Sequence, residues 1–269
     1  MLTDTHCHLD LEKFDSDREA VIERALQAGV ERILIPGLTL TSSRAAVKLA
    51  ESHPMLFAAI GVHPTEVNTF NIDTLAGLRE LAGNPKVVAI GEIGLDYYWN
   101  SAPHPLQQKA LEEQLDLATE LQLPVIIHFR EKGDAPDGDC ASDLMNILEK
   151  RAAGLGSGKN SLAGRPGVLH SFSGSRDTAE RAVRLNFFLG VTGPVTYRTD
   201  RQEQIAALPL DKLLSETDAP FLSPHPYRGK RNEPAYVRLI TDKIALLHSL
   251  SNTEVATATS ENASKLFGW

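Results

Sequence analysis

The chain is poor in cysteine, in basic charge and in long apolar runs, and each shortage removes a class of protein. Two cysteines, Cys7 and Cys140, in 269 residues cannot frame a disulfide scaffold, so a reducing cytoplasm is the expected compartment. No apolar stretch approaches the ~20 residues of a membrane-spanning helix, and MLTDTHCHLD has neither the basic nor the apolar region of a secretory signal. Lys and Arg number 27 against 35 Asp and Glu, a net charge of −8, which argues against wrapping nucleic acid over a broad basic face. A nucleic acid held locally stays open, because bound cations invert the field where they sit. Internal repeats and heptads are also lacking, so one domain over residues 1–269 is expected, with no membrane contact and no obligate protein partner.

What the chain does have is alternation. LTDTH, RILIP, LFAAIGV, VVAIGEI, PVIIHF, GVLHSF, FFLGVT and LLSET are short, largely apolar, strand-like runs, each followed by a helix-like segment. A last helix falls in NTEVATATSENASKLFG. Eight such units favour an α/β fold of the closed (β/α)8 TIM-barrel type over an open doubly wound sheet. Two stretches rich in Gly, Asp, Ser and Pro, EKGDAPDGDC and GLGSGKNSLAGRPG, read as loops flanking the fifth helix and lengthen the region 131–166.

Six residues stand at or just past the ends of these runs: His6 and His8 in TDTHCHLD, Glu92 in AIGEIGLDYY, His128 in PVIIHFR, His170 in VLHSFSG and Asp218 in LLSETDAP. Their separations fit: 84 residues from His8 to Glu92, then 36, 42 and 48 to the next three. With about 31 residues per barrel unit, the six fall on strands 1, 4, 5, 6 and 8 and converge on one mouth. His6 and His8, two apart on a strand, share a face, and Cys7 between them points away as a small buried hydrophobe. Glu92 sits in an apolar segment whose nearest preceding base is Lys86, so a cation is the expected partner. Taken singly, His128 and His170 read as core or loop histidines and Asp218 as a cap, and it is their shared strand-end position that points to metal.

Four imidazoles and two carboxylates can hold two divalent ions, with Glu92 shared: His6, His8, Glu92 and Asp218 on one side, Glu92, His128 and His170 on the other. The ligands then bring two negative charges against four positive, and a net positive centre suits a phosphodiester. Asp218 is the candidate proton acceptor and, with Glu92, the expected catalytic carboxylate. His63 in AAIGVHPTE enters the same mouth, Arg130 shares the face of His128 and can clamp a phosphate, and PHPYRGKRNEP places Tyr227, Arg228, Lys230 and Arg231 in one basic, aromatic loop. The alternatives are a hydrolase of small amides, esters or lactones, and a weakly active metal-binding scaffold for nucleic acid or protein.

DTHCHLD, IGVHP, IGEIGLDYY, QQKALEEQLDLA, LPVIIHFR, HSFSGS, ETDAPFL and HPYRGKRNEP, in this order along nearly the whole chain, closely resemble the TatD family of metal-dependent deoxyribonucleases. The resemblance implies a (β/α)8 barrel, a two-metal site on the six residues holding Mg²⁺, Mn²⁺ or Zn²⁺, and 3′ to 5′ exonuclease action favouring single-stranded DNA. The chain departs from the family pattern at Phe129, at Leu111 and in the long loop, none of which is a proposed ligand.

Overall fold

A computed structural model describes residues 1–99, 101–154 and 161–269. Eight parallel strands lie in chain order: β1 (Leu2–Asp4), β2 (Val30–Pro36), β3 (Leu56–Ile60), β4 (Val87–Asp96), β5 (Val125–Arg130), β6 (Gly167–Leu169), β7 (Phe188–Val191) and β8 (Leu213–Ser215). Between them run α1 (Arg18–Gln27), α2 (Leu40–Ser52), α3 (Ile72–Leu81), α4 (His104–Leu121), α5 (Asp139–Gly154), α6 (Arg176–Arg184) and α7 (Thr199–Ala206), and α8 (Val237–His248) and α9 (Asn252–Phe267) follow β8. The expected (β/α)8 TIM barrel is therefore the fold. Residues 155–160 of the second expected loop lie outside the described residues; the first, 131–140, leads into α5 as expected.

The barrel closes between β8 and β1 through single contacts rather than a long ladder. The Thr5 amide donates to the Ser215 carbonyl at 3.2 Å, the Asp218 amide to His6 at 2.8 Å and the His8 amide to Ala219 at 2.8 Å, around a Cys7–Ala219 bridge. His6 and His8 thus lie past the end of β1, a correction to the expectation of a strand there. The backbone bends at Thr5 and pairs again at Cys7, which is fully buried as expected.

Strand alternation sorts the side chains into two environments. Ile33 and Ile35, Val125 and Ile127, and Leu213 join the large core beneath the helices. Leu34, Ala59, Val88, Ile126, Val168, Phe188 and Leu214 form the barrel interior, and Ala263, Leu266 and Phe267 of α9 seal its lower end. Counting upward by two from that interior layer gives His63 from Ala59, His128 from Ile126, His170 from Val168, and Glu216 and Asp218 from Leu214. One apolar layer at the bottom therefore sets which residues face the mouth at the top.

β4 carries Glu92 inside the strand rather than at its end. A register shift against β5 between Ile90 and Ile93 interrupts the ladder there, and the Glu92 amide donates instead to the Gly37 carbonyl at 2.9 Å. Such an irregularity re-aims a side chain. Two residues on, Gly94 adopts φ +145°, and a Cβ there would run into the His128 carbonyl, so glycine is what lets β4 and β5 approach. From α4, Gln107 accepts from the Asp96 amide at 2.8 Å and Gln114 from the Val62 amide at 2.8 Å, pinning the upper ends of β4 and β3.

Phe188 is fully buried at the centre of the interior layer. Phe188→Ala is expected to lower unfolding stability by about 3–5 kcal/mol, read as a lower urea midpoint at an unchanged denaturant slope.

Candidate metal centre

Five of the six expected residues, His8, Glu92, His128, His170 and Asp218, line one cavity of about 660 Å³ at the upper end of the barrel, and His6, fully buried, meets the same Glu92. Glu92 is its centre, and its two carboxylate oxygens face different neighbours. Oε2 lies 3.3 Å from His6 Nε2 and 3.8 Å from His8 Nε2. Oε1 lies 2.9 Å from His128 Nδ1 and 3.6 Å from His170 Nε2. Asp218 joins the first group, with Oδ1 3.5 Å from His8 Nε2 and 3.8 Å from His6 Nε2.

Among the described residues, His6, His8 and Asp218 bring one ligand atom each within 4.8 Å of one another, and so do His63, Glu92 and His128, so donors fit for a divalent metal stand on both sides of the Glu92 carboxylate. Ligand atoms about 2.0–2.2 Å from a metal are separated from one another by roughly 3.0–3.5 Å, close to the separations around each Glu92 oxygen. The Nε2 atoms of His6 and His8 lie only 3.2 Å apart, while the buried Nδ1 of each ring has no protein partner. Neutral rings carrying the proton on Nδ1 would turn two lone pairs toward each other and toward two carboxylates. A cation between them resolves that conflict.

The electrostatics of the site agree. Burial alone would raise the Glu92 carboxyl, but His6, His170 and His63 and the hydrogen bond from His128 outweigh it and hold it well below the usual carboxylate range. Burial opposes charge on His170 too, yet Glu92 and Glu216 lift it to about 10. His6, buried and beside His170, is pushed down.

Behind the first ring of residues stand carboxylates that sequence reasoning missed. Glu216 Oε1 accepts from His170 Nδ1 at 3.1 Å, which turns Nε2 toward Glu92, and it also accepts from the Ser171 amide. Gly190 leaves the space that the Glu216 carboxylate fills. Asp96 Oδ2 lies 3.0 Å from His128 Nε2. Asp4 accepts from the Thr217 amide at 2.9 Å and the His6 amide at 3.3 Å, tying the two segments that carry His6 and Asp218. Carboxylates behind metal-bound imidazoles orient the ring and select its tautomer. The signal was spacing: Asp96 lies four residues past Glu92, and Glu216 two before Asp218, on the same faces.

His63 does enter the mouth, with Nε2 3.6 Å from Glu92 Oε1. Its Nδ1 accepts from the Thr65 amide at 3.2 Å, which leaves the proton on Nε2. Arg130 lines the cavity as expected, stacked 3.7 Å over the Tyr98 ring, but its Nε is bound to Asp134 at 2.7 Å. The basic loop departs from expectation, since none of Tyr227, Arg228, Lys230 and Arg231 lines the cavity. Arg231 is held by Asp17 through two contacts of 2.7 Å, Tyr227 stacks on Tyr236 at 4.1 Å, Arg228 lies 4.0 Å from the Tyr197 ring centre, and Lys230 reaches back toward Tyr227. Instead the exposed aromatic rings on the cavity wall are Trp99 and Phe221, which sequence reasoning passed over.

The sequence profile of the family described as "TatD related DNase" matches residues 3–268. The chain belongs to that family. It is 41% identical to the uncharacterized metal-dependent hydrolase YabD of Bacillus subtilis over 99% of both chains. It is 38% identical to the 3′-5′ ssDNA/RNA exonuclease TatD of a Rahnella species, over 97% of this chain and 95% of that protein. Among solved structures, the TatD homologue YjjV of Escherichia coli K12 superposes with a TM-score of 0.88 at 34% identity, covering 100% of this chain and 98% of that one. YabD carries metal dependence in its name, and this chain is a metal-dependent hydrolase of the TatD family.

Glu216→Gln removes the charge behind His170 while keeping its shape. It is expected to weaken divalent-metal affinity by roughly 10–100-fold, measured by competition with a chromophoric chelator; unchanged affinity would remove Glu216 from the site.

Proposed function

We propose that this protein is a divalent-metal-dependent exonuclease that removes nucleotides from single-stranded DNA in the 3′ to 5′ direction. The observation that carries the reading is Glu92, whose two oxygens face two separate sets of donors. His6, His8, Asp218 and Glu92 Oε2 would hold one ion, and His128, His170 and Glu92 Oε1 the other, with Mg²⁺, Mn²⁺ or Zn²⁺ as candidates. Bound there, two such ions supply acidification of an attacking water and charge neutralisation of a phosphoryl oxygen.

The chain's own groups do the rest. Asp218 borders the cavity and, against burial, is held below the usual carboxylate range by the neighbouring His8, His170 and His6, so it stays ionised and can accept a proton. His63 presents an Nε2 proton to the same space and can donate to a non-bridging oxygen of the substrate. Asp96 and Glu216 keep His128 and His170 in place as charge builds. Trp99, 54% exposed on the cavity wall, offers an indole face to a terminal base. The relatives named as ssDNA/RNA exonucleases support the choice of substrate class. No helix among the described residues is long and apolar enough to cross a membrane.

Metal-loaded protein is expected to shorten a 5′-labelled single-stranded oligonucleotide in single-nucleotide steps. His128→Ala is expected to slow this by about 100-fold or more, read on a sequencing gel. An oligonucleotide left intact while a panel of lactones and amides is turned over would assign the site to small-molecule hydrolysis instead.

A further inference from the structure

The cavity that holds the imidazoles does not stop at the barrel mouth. It shares Asp134, Arg198 and Arg201 with a second cavity of about 670 Å³ lying along α6 and α7. One trough therefore leads from the histidines out past the first turn of α7. Three arginines stand in the metal-bearing part of it, and two are neutralised: Arg130 by Asp134 at 2.7 Å and Arg198 by Asp200 at 2.7 Å.

Arg201 is different. Its Nη1 donates to two neutral acceptors, the Ser173 carbonyl at 2.8 Å and Gln204 Oε1 at 3.1 Å. Its nearest carboxylate contact is Nε to Asp200 at 3.8 Å, beyond hydrogen-bond reach, and Asp200 is already engaged by Arg198. No hydrogen bond among the described residues engages its Nη2. The side chain is only 14% exposed, and burial pulls its pKa down. Its place in the first turn of α7 adds to the mismatch, since a helix N-terminus favours anions over cations. A half-buried guanidinium, braced by neutral groups and left with a free edge in the active trough, is arranged to receive an anion. The planar fork matches a phosphate.

We propose that Arg201 binds a backbone phosphate of the substrate strand beyond the scissile bond, so that the trough along α6 and α7 carries the rest of that strand. The inference rests on the nuclease reading above. The competing role is a latch: through Ser173, Arg201 also ties α7 to the loop that follows His170. Arg201→Gln separates the two roles because it keeps an amide donor for the Ser173 carbonyl while removing the charge, and Arg201→Lys keeps the charge.

The experiment compares metal-loaded native and variant proteins on an oligothymidylate of about eight nucleotides and on bis(4-nitrophenyl) phosphate, a diester too short to enter the trough. Arg201→Gln is expected to raise KM for the oligonucleotide about 10-fold or more at unchanged kcat, with turnover of the small diester within about twofold of native. The salt dependence of kcat/KM should flatten by about 0.7 in log–log slope, the share of one phosphate on a single strand, and Arg201→Lys should restore it. Native KM and salt slope in Arg201→Gln would overturn the proposal and leave the nuclease reading standing, as would an equal loss on both substrates, the mark of a latch. Native protein that leaves oligonucleotides intact would overturn both.

Discussion

One buried carboxylate, surrounded by imidazoles, organises the upper half of this barrel. Glu92 is 2% exposed and takes its contacts from His6, His8, His63, His128 and His170, residues contributed by four other strand ends. An isolated carboxylate at that depth would be protonated or expelled. Here it stays ionised because the rings around it share its charge, and the rings tolerate one another only because the carboxylate and, on our reading, two cations lie between them. Each partner alone is a liability. The cluster is coherent only when complete, which is why the surrounding structure is spent on holding it.

That holding is done from below and behind. The apolar layer of Leu34, Ile126, Val168, Phe188 and Leu214, sealed by α9, sets the phase of every strand. Two residues higher, the same phase turns His128 and His170 into the mouth. Gly94 and Gly190 leave room for the His128 carbonyl and the Glu216 carboxylate. Gln107 and Gln114 clamp the strand ends, while Asp4 joins the β1 and β8 segments where the barrel ladder is weakest.

Much of this was legible in the chain. Polar residues ending apolar runs at barrel-like intervals identified the strands, the order of units and the six residues that gather at the upper end of the barrel. Local periodicity carried that information because each strand reports its own facing. What was not legible depends on contacts distant in sequence. Arg231 read as a free phosphate contact, but its partner Asp17 is 214 residues away. Asp96 and Glu216 drew no reading from the sequence, because their role appears only with His128 and His170 in front of them. The placement of Glu92 inside β4 follows from a register shift that composition does not announce. Arg201 carried no signal at all, since its meaning lies in which neighbours fail to neutralise it.

On our reading Glu92 is shared between two ions, and counting the metal on purified protein decides it. Loaded with Mn²⁺ and freed of excess, native protein should carry two ions per chain, with the coupled electron paramagnetic resonance of a close pair. Glu92→Gln should retain at most one, with an uncoupled signal. A single ion in native protein, still bound in Glu92→Gln, would contradict the account.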